Sequence, residues 1–68
     1  MRINEGYAII ASVPLNEREE IVIGRNYNDM YVVWTCRDGD NYFWGHYVMT
    51  YKQALKELIR KLKLANAG

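Results

Sequence analysis

The sequence predicts an α+β domain in which an antiparallel meander of three or four strands is packed by one C-terminal amphipathic helix. Three observations predict it: strand-like runs rich in β-branched and aromatic residues, a hairpin signal at Asp38-Gly39-Asp40, and helical spacing of apolar residues after Thr50. A chain of 68 residues, half of them hydrophobic, suits a single domain over residues 1–68 with a packed core.

Four runs predict strands. The first is YAIIASV, residues 7–13, which ends at Pro14 because proline has no amide hydrogen to donate to a ladder. EIVIGR, residues 20–25, is a short β-branched run. MYVVWTCR, residues 30–37, and NYFWGHYV, residues 41–48, flank the DGD turn and are expected to form a hairpin.

The alternation of side chains in this hairpin predicts two faces. A two-residue turn at Gly39–Asp40 or at Asp38–Gly39 gives the same two sets, because those registers differ by two residues. One set is Val32, Trp34, Cys36, Phe43, Gly45 and Tyr47. The other set is Tyr31, Val33, Thr35, Arg37, Tyr42, Trp44 and His46. A three-residue turn mixes the sets unless a bulge absorbs the extra residue.

The last element is a helix that begins at a capping box, Thr50-x-x-Gln53. Its apolar residues fall within an arc of about 140° at 100° per residue. They are Tyr51, Ala54, Leu55, Leu58, Ile59, Leu62 and Ala65. Leu64 lies off this arc, and the helix is expected to fray over Ala65–Gly68.

The helix is expected to cover the sheet face that carries Trp34, Phe43 and Tyr47, where Gly45 leaves room for close approach. The other face then has no cover within a one-helix domain, and its aromatic and basic side chains have the composition of an interface. These candidate partner-binding residues are Tyr31, Arg37, Tyr42, Trp44 and His46. Two structural alternatives remain: residues 1–19 fold over this face, or its aromatic pairs only stiffen the sheet.

Charge is distributed unevenly along the chain. Residues 1–48 carry seven carboxylates and four arginines, a net −3, whereas residues 49–68 carry five cations and only Glu57, a net +4. Four of these cations form a stripe within about 80° on the helix, opposite the apolar arc. They are Lys52, Lys56, Arg60 and Lys63. Such a stripe suits nucleic-acid phosphates or an acidic protein surface, although an ordinary solvated helix face has the same pattern and is favoured.

The residues do not indicate an enzyme. His46 is the only histidine, it has no nucleophile and orienting acid at a recognisable spacing, and there is no phosphate loop or dinucleotide fingerprint. Cys36 has no second cysteine or histidine near it, so it is expected to pack as a small hydrophobe, and no metal or cofactor is expected. No apolar run reaches the roughly 20 residues that cross a bilayer, and no leader opens the chain. We therefore expect a cytoplasmic protein with no membrane partner, either a monomer or a weak homodimer.

Two resemblances extend these expectations. The pattern W-G-x-Y-x-x-T-x-x-x-A, residues 44–54, resembles the sheet-to-helix junction of the plant ethylene-response-factor domain and of the N-terminal domain of conjugative-transposon integrases. That resemblance implies a three-stranded sheet, backed by a helix, that enters the major groove of DNA. The block IVIG…YVVW…DGDNYFWGHY, residues 21–47, resembles small uncharacterised proteins carried on mobile elements of anaerobic gut bacteria. It implies an accessory or counter-defence role, such as inhibition of a restriction or CRISPR nuclease by direct contact.

The residues favour a non-enzymatic module that binds another protein through the exposed sheet face, the basic stripe or both. The alternative is nucleic-acid binding through the helix stripe or the sheet face. The two differ in salt response, because phosphate contacts release counterions and weaken steeply as salt rises.

Overall fold

The computed structural model describes residues 1–66, which form a five-stranded antiparallel sheet and one helix. The elements are β1 (Ile3–Asn4), β2 (Tyr7–Pro14), β3 (Glu19–Arg25), β4 (Tyr31–Arg37), β5 (Asn41–Val48) and α1 (Tyr51–Asn66). The strands lie in chain order, so each pairs with its neighbours in sequence. The predicted α+β class is confirmed, and the sheet has five strands rather than three or four because Ile3–Asn4 adds a short outer strand.

The β4–β5 hairpin has a three-residue connection and a bulge instead of the expected two-residue turn. Arg37 pairs with Asn41, whereas beyond the bulge Val33 pairs with His46. Between these pairs β5 contains one extra residue, and Trp44 there has a left-handed backbone with φ 54°. The bulge therefore absorbs the extra residue of the connection.

The three-residue connection exchanges the faces of two residues that lie between it and the bulge. Phe43 lies opposite Thr35, and Tyr42 lies opposite Cys36, so each is on the reverse of its predicted side. From His46 onward the predicted alternation is confirmed.

α1 packs on the sheet face that was expected to remain open. The buried cluster under it is Ile21, Ile23, Val33, Ala54 and Leu58. The expectation that α1 covers Trp34 and Tyr47 is therefore wrong. Both faces of β3 and β4 are apolar, so the alternation of side chains does not decide which face the helix covers.

The face without the helix is buried by aromatic rings. Its cluster is Val22, Val32, Trp34 and Cys36, with Tyr7, Ile9 and Tyr42 packed against it. Trp34 is only 2% exposed, because the rings of Tyr7, Tyr42 and Tyr47 lie between 5.4 and 6.2 Å from its own. Gly45 makes room for this indole and not for the helix, since a Cβ at that position would lie 2.6 Å from Trp34 Nε1.

The N-terminal segment helps to close this second face. Arg2 donates hydrogen bonds of 2.8 and 2.9 Å to the two carboxylate oxygens of Glu20 in β3, and Ser12 donates to the same group. These bonds, first those from Arg2, hold the pKa of Glu20 below its ordinary value. Part of residues 1–19 therefore joins the sheet and covers the aromatic face, with Tyr7 against Trp34.

α1 begins at the predicted capping box. Thr50 Oγ1 accepts a hydrogen bond of 3.1 Å from the amide of Gln53. Gln53 Oε1 in turn accepts from the amides of Met49 and Thr50, at 2.9 and 3.2 Å. The reciprocal bonds satisfy amides that the first turn leaves unpaired.

The buried side of α1 is rotated by roughly 60° from the predicted arc. Leu55 and Ile59, expected in the core, are 37% and 51% exposed. Glu57 is buried instead, because Arg60 pairs with its carboxylate. The expected fraying is wrong at residues 65–66, which are helical, and residues 67–68 lie outside the described part of the chain.

Candidate functional site

Trp44 combines two features that an isolated domain does not favour. Its left-handed backbone costs a residue other than glycine roughly 1–2 kcal/mol. Its side chain is also 75% exposed, although an indole contributes most when its large apolar surface is covered. A strained and exposed tryptophan does little for the fold, so its position points to a functional surface.

Phe43 and Arg37 extend this surface along the sheet. The rings of Phe43 and Trp44 meet edge to face, with centroids 4.9 Å apart. The guanidinium carbon of Arg37 lies 5.8 Å from the Phe43 centroid, within cation–π range. Arg37 also donates hydrogen bonds of 2.7 and 3.2 Å to Glu19, which position the guanidinium and hold the pKa of Glu19 below its ordinary value.

α1 adds two cations to the same region. Lys61 Nζ donates a hydrogen bond of 2.9 Å to the carbonyl of Trp44, which ties the helix to the bulge. Burial lowers the pKa of Lys61. Arg60 donates to both carboxylate oxygens of Glu57 at 2.5–3.1 Å, and these bonds hold the pKa of Glu57 below its ordinary value despite burial.

Trp44, Arg60 and Lys61 border a groove of about 430 Å³ between the C-terminal half of α1 and the sheet. Leu15, Ile21 and Leu64 give the groove an apolar lining, and Arg60 and Lys61 give it a basic side. We name the surface formed by Arg37, Phe43, Trp44, Arg60, Lys61 and Leu64 the Trp44 patch. Tryptophan and arginine beside an apolar groove are the residue types that dominate binding energy at protein interfaces.

The structure brings together only two of the predicted sheet-face residues. Arg37 and Trp44 share the Trp44 patch, on the side of the sheet that α1 also occupies. Tyr31 is on that side too, but its ring packs against Tyr51 of α1 at 5.7 Å. The expectation that these residues point away from the helix is wrong, because α1 covers the side that carries Tyr31.

The other two predicted residues lie elsewhere. Tyr42 is on the aromatic face, 5.4 Å from the ring of Trp34, because the three-residue connection pairs it with Cys36. His46 lies beside α1, with Nε2 3.8 Å from Glu57 Oε1. The five residues therefore do not form one continuous surface.

The four cations of the predicted basic stripe do not form one surface either. Arg60 belongs to the Trp44 patch and is paired with Glu57. Lys52, Lys56 and Lys63 are exposed on the outer side of α1. Within residues 1–66 no acidic side chain forms an ion pair with any of these three lysines.

Sequence reasoning missed Phe43, Lys61 and Leu64 as members of the Trp44 patch. Phe43 was assigned to the other face because a two-residue turn was expected, and the three-residue connection pairs it with Thr35. The helical wheel could have identified the other two. Leu64 is an apolar residue outside the apolar arc, and Lys61 is a cation beside that arc, about 20° from Ala54.

A metal-ligand cluster and a membrane-spanning helix are both absent from the described residues. No group of three or more histidine, cysteine or acidic side chains among them is placed to hold a metal ion. No helix in this part of the chain is long and apolar enough to span a membrane. Cys36 is buried as a free thiol, as expected, and burial raises its pKa.

Comparison of the chain with protein-family models, with curated proteins and with solved structures finds no match in any of the three.

Proposed function

We propose that the chain is a non-enzymatic module that binds another protein through the Trp44 patch. The exposed, left-handed Trp44 carries the proposal. Its strain and its exposure both lower the stability of the isolated domain, and contact with a partner would bury the indole. Lys61 and Phe43 hold the bulge and the ring in place before the partner arrives, which reduces the entropy lost on binding.

The surroundings of Trp44 indicate the chemistry of the partner. Leu15, Ile21 and Leu64 in the groove suit an apolar anchor side chain. Lys61 beside them favours a carboxylate close to that anchor. The resemblance to mobile-element proteins supports a component of host defence, such as a nuclease, as the partner that supplies the apolar anchor and the carboxylate.

Nucleic-acid binding through the helix is the second candidate, and the exposed Lys52, Lys56 and Lys63 favour it. It has less support because Arg60, the fourth cation of the stripe, is paired with Glu57. Insertion of the sheet into a DNA groove has less support still, since α1 occupies one side of the sheet and buried aromatic rings the other.

The test compares the parent chain with Trp44→Gly, which removes the indole and introduces the residue that best tolerates a left-handed backbone. Each immobilised chain captures proteins from a cell extract, and the captured proteins are quantified by mass spectrometry. We expect at least one protein to be retained by the parent chain and lost with Trp44→Gly. Tyr27→Ala is the matched control, because Tyr27 is a highly exposed aromatic residue in the β3–β4 turn, and it should retain that protein.

Binding of the purified captured protein should change little between low and near-physiological salt, because an indole dominates the contact. Identical protein sets captured by the parent chain and by Trp44→Gly would contradict the proposal. An amide NMR titration with a short DNA duplex examines the second candidate. Saturable, salt-sensitive shifts at Lys52, Lys56 and Lys63 would favour nucleic acid over protein as the target.

A further inference from the structure

The helix side of the sheet is wider than the single helix that covers it. Five strands about 4.8 Å apart span roughly 19 Å between the outermost strands, whereas packed helices lie about 8–10 Å apart. α1 packs on β3, β4 and β5, and its contact with β2 is marginal. β1 and β2 lie beyond the strands on which α1 packs, and residues 1–66 supply no second helix over them.

This uncovered area has an apolar floor. Strand pairing places Ile3 and Ala8 on the same side of the sheet as Tyr31, and therefore on the side of α1. Ala11 and Val13 adjoin the buried cluster under α1. Ile3 is 67% exposed, so the apolar row continues from the core into solvent.

α1 forms an apolar wall beside this floor. Leu55 and Ile59 lie about 160° around the helix from Glu57. Glu57 adjoins His46 of β5, so Leu55 and Ile59 lie on the flank of α1 that faces β2. We name the combined surface of Ile3, Ala8, Ala11, Val13, Leu55 and Ile59 the β2 shelf.

The rim of the β2 shelf is basic. Lys52, Lys56 and Lys63 lie within about 60° of Ile59 on the outer side of α1. Their charges have no acidic partner in the part of the chain that the structure describes. A second copy that docked with its own shelf would bring the same three lysines into the interface, so charge disfavours that occupant. Carboxylates beside an apolar stripe complement both the shelf and its rim.

We propose that the β2 shelf binds an acidic amphipathic helix of a partner protein, which lies beside α1 with its apolar stripe on the shelf. Its carboxylates then lie against Lys52, Lys56 and Lys63. Leu55 and Ile59 of the shelf are on the opposite flank of α1 from Arg60 and Leu64 of the Trp44 patch, so Trp44 itself is not part of the shelf.

The probe is a pair of synthetic amphipathic helical peptides as long as α1, which has 16 residues. One peptide has leucine along its apolar stripe and glutamate at its polar positions, and in the other every glutamate is replaced by lysine. Amide NMR titration of the full chain follows binding. We expect saturable shifts at Ala8, Ala11 and Ile59 with the glutamate peptide, and binding at least about tenfold weaker with the lysine peptide.

Three variants locate the binding. Ile59→Lys changes an exposed wall residue without opening the core and is expected to abolish binding of the glutamate peptide. Lys56→Glu is expected to weaken that peptide by about tenfold and to strengthen the lysine peptide. Trp44→Gly is the matched control and should bind as the parent does, so failure of the shelf and failure of the Trp44 patch remain distinguishable. Thermal midpoints establish that each variant is folded.

Four results would overturn the proposal. Neither peptide shifts the shelf amides, or both peptides bind equally well. In the absence of peptide, the shelf amides shift as the concentration of the protein is raised, which identifies a second copy as the occupant. Alternatively, vesicles of phosphatidylglycerol or duplex DNA shift these amides at lower concentration than the glutamate peptide does.

Discussion

Gly45 is the position where one added methyl group should disturb the aromatic face most. In Gly45→Ala the new Cβ would lie 2.6 Å from Trp34 Nε1 and 3.0 Å from Trp34 Cδ1, closer than normal contacts. The indole has nowhere to move, because Tyr7, Tyr42 and Tyr47 surround it. The φ of Gly45 is outside the left-handed region, so alanine brings no backbone strain of its own.

The size of the effect follows from two opposing terms. Overpacking a buried site costs about 1–3 kcal/mol, whereas replacing glycine by alanine stabilises by roughly 0.4–1 kcal/mol through the unfolded chain. We expect Gly45→Ala to lower the free energy of unfolding by about 1–2 kcal/mol. In a domain of this size that loss lowers the thermal midpoint by roughly 4–16 °C, which calorimetry measures directly.

The control is the same Gly45→Ala substitution made in a chain that carries Trp34→Phe. The smaller ring lacks the pyrrole edge that the added Cβ would meet, so Gly45→Ala should cost less in the Trp34→Phe chain than in the parent. An unchanged midpoint in the single variant would refute the reasoning. An equal loss in both backgrounds would show that the contact with the indole is not the reason for glycine at this position.

Three further predictions concern the cap, the buried carboxylate and the thiol. Thr50→Ala should lower the free energy of unfolding by about 1 kcal/mol, because the amide of Gln53 loses its acceptor, whereas Thr50→Ser should come close to the parent in urea unfolding. Hydrogen bonds from Arg60 lower the pKa of Glu57, so this pair contributes stability above the unfolded-state pKa of about 4.3 and loses it as pH falls through the folded-state value. Glu57→Gln should therefore be less stable than the parent at about pH 7 but lose less stability on acidification to about pH 3, and an identical pH profile would contradict the role of the pair. Cys36, buried and with its pKa raised by burial, should react with a thiol reagent only after denaturant is added, and rapid labelling of the native chain would show that the aromatic face opens.

The sequence predicts the elements of this fold because each has a local cause. The run Tyr7–Pro14 is β-branched and stops at a proline, and the Thr50-Gln53 capping box starts the helix where it was expected. The short strand Ile3–Asn4 was missed because two residues carry no periodicity and depend on pairing with β2.

The arrangement of these elements is harder to predict, because it depends on tertiary contacts. Ile21, Val22 and Ile23 are apolar on both faces of β3, so either face was a plausible support for α1. The rotation of α1 places Glu57 in the interior and Leu55 at the surface, and Arg60 neutralises the buried carboxylate.

Only part of the Trp44 patch could be predicted from the sequence, because its geometry also depends on tertiary contacts. Glycine or asparagine often marks a left-handed residue, but Trp44 gives no such signal. The three-residue connection pairs Phe43 with Thr35 and Tyr42 with Cys36, so Phe43 joins the Trp44 patch and Tyr42 does not. Arg37 and Trp44 were predicted from strand alternation and Arg60 from the helical wheel. That Trp44 and Arg60 line one groove, with Arg37 reaching Trp44 through Phe43, required the structure.

The order of the strands also determines how the newly made chain folds. Each strand pairs only with its neighbours in sequence, so the loops to be closed are short, which favours rapid folding. The N-terminal strands leave the ribosome first, and the sheet is complete in sequence before any residue of α1 emerges. During that interval Ile21, Ile23 and Val33 form an apolar surface without cover. Docking of α1 after its synthesis therefore removes this apolar surface from water.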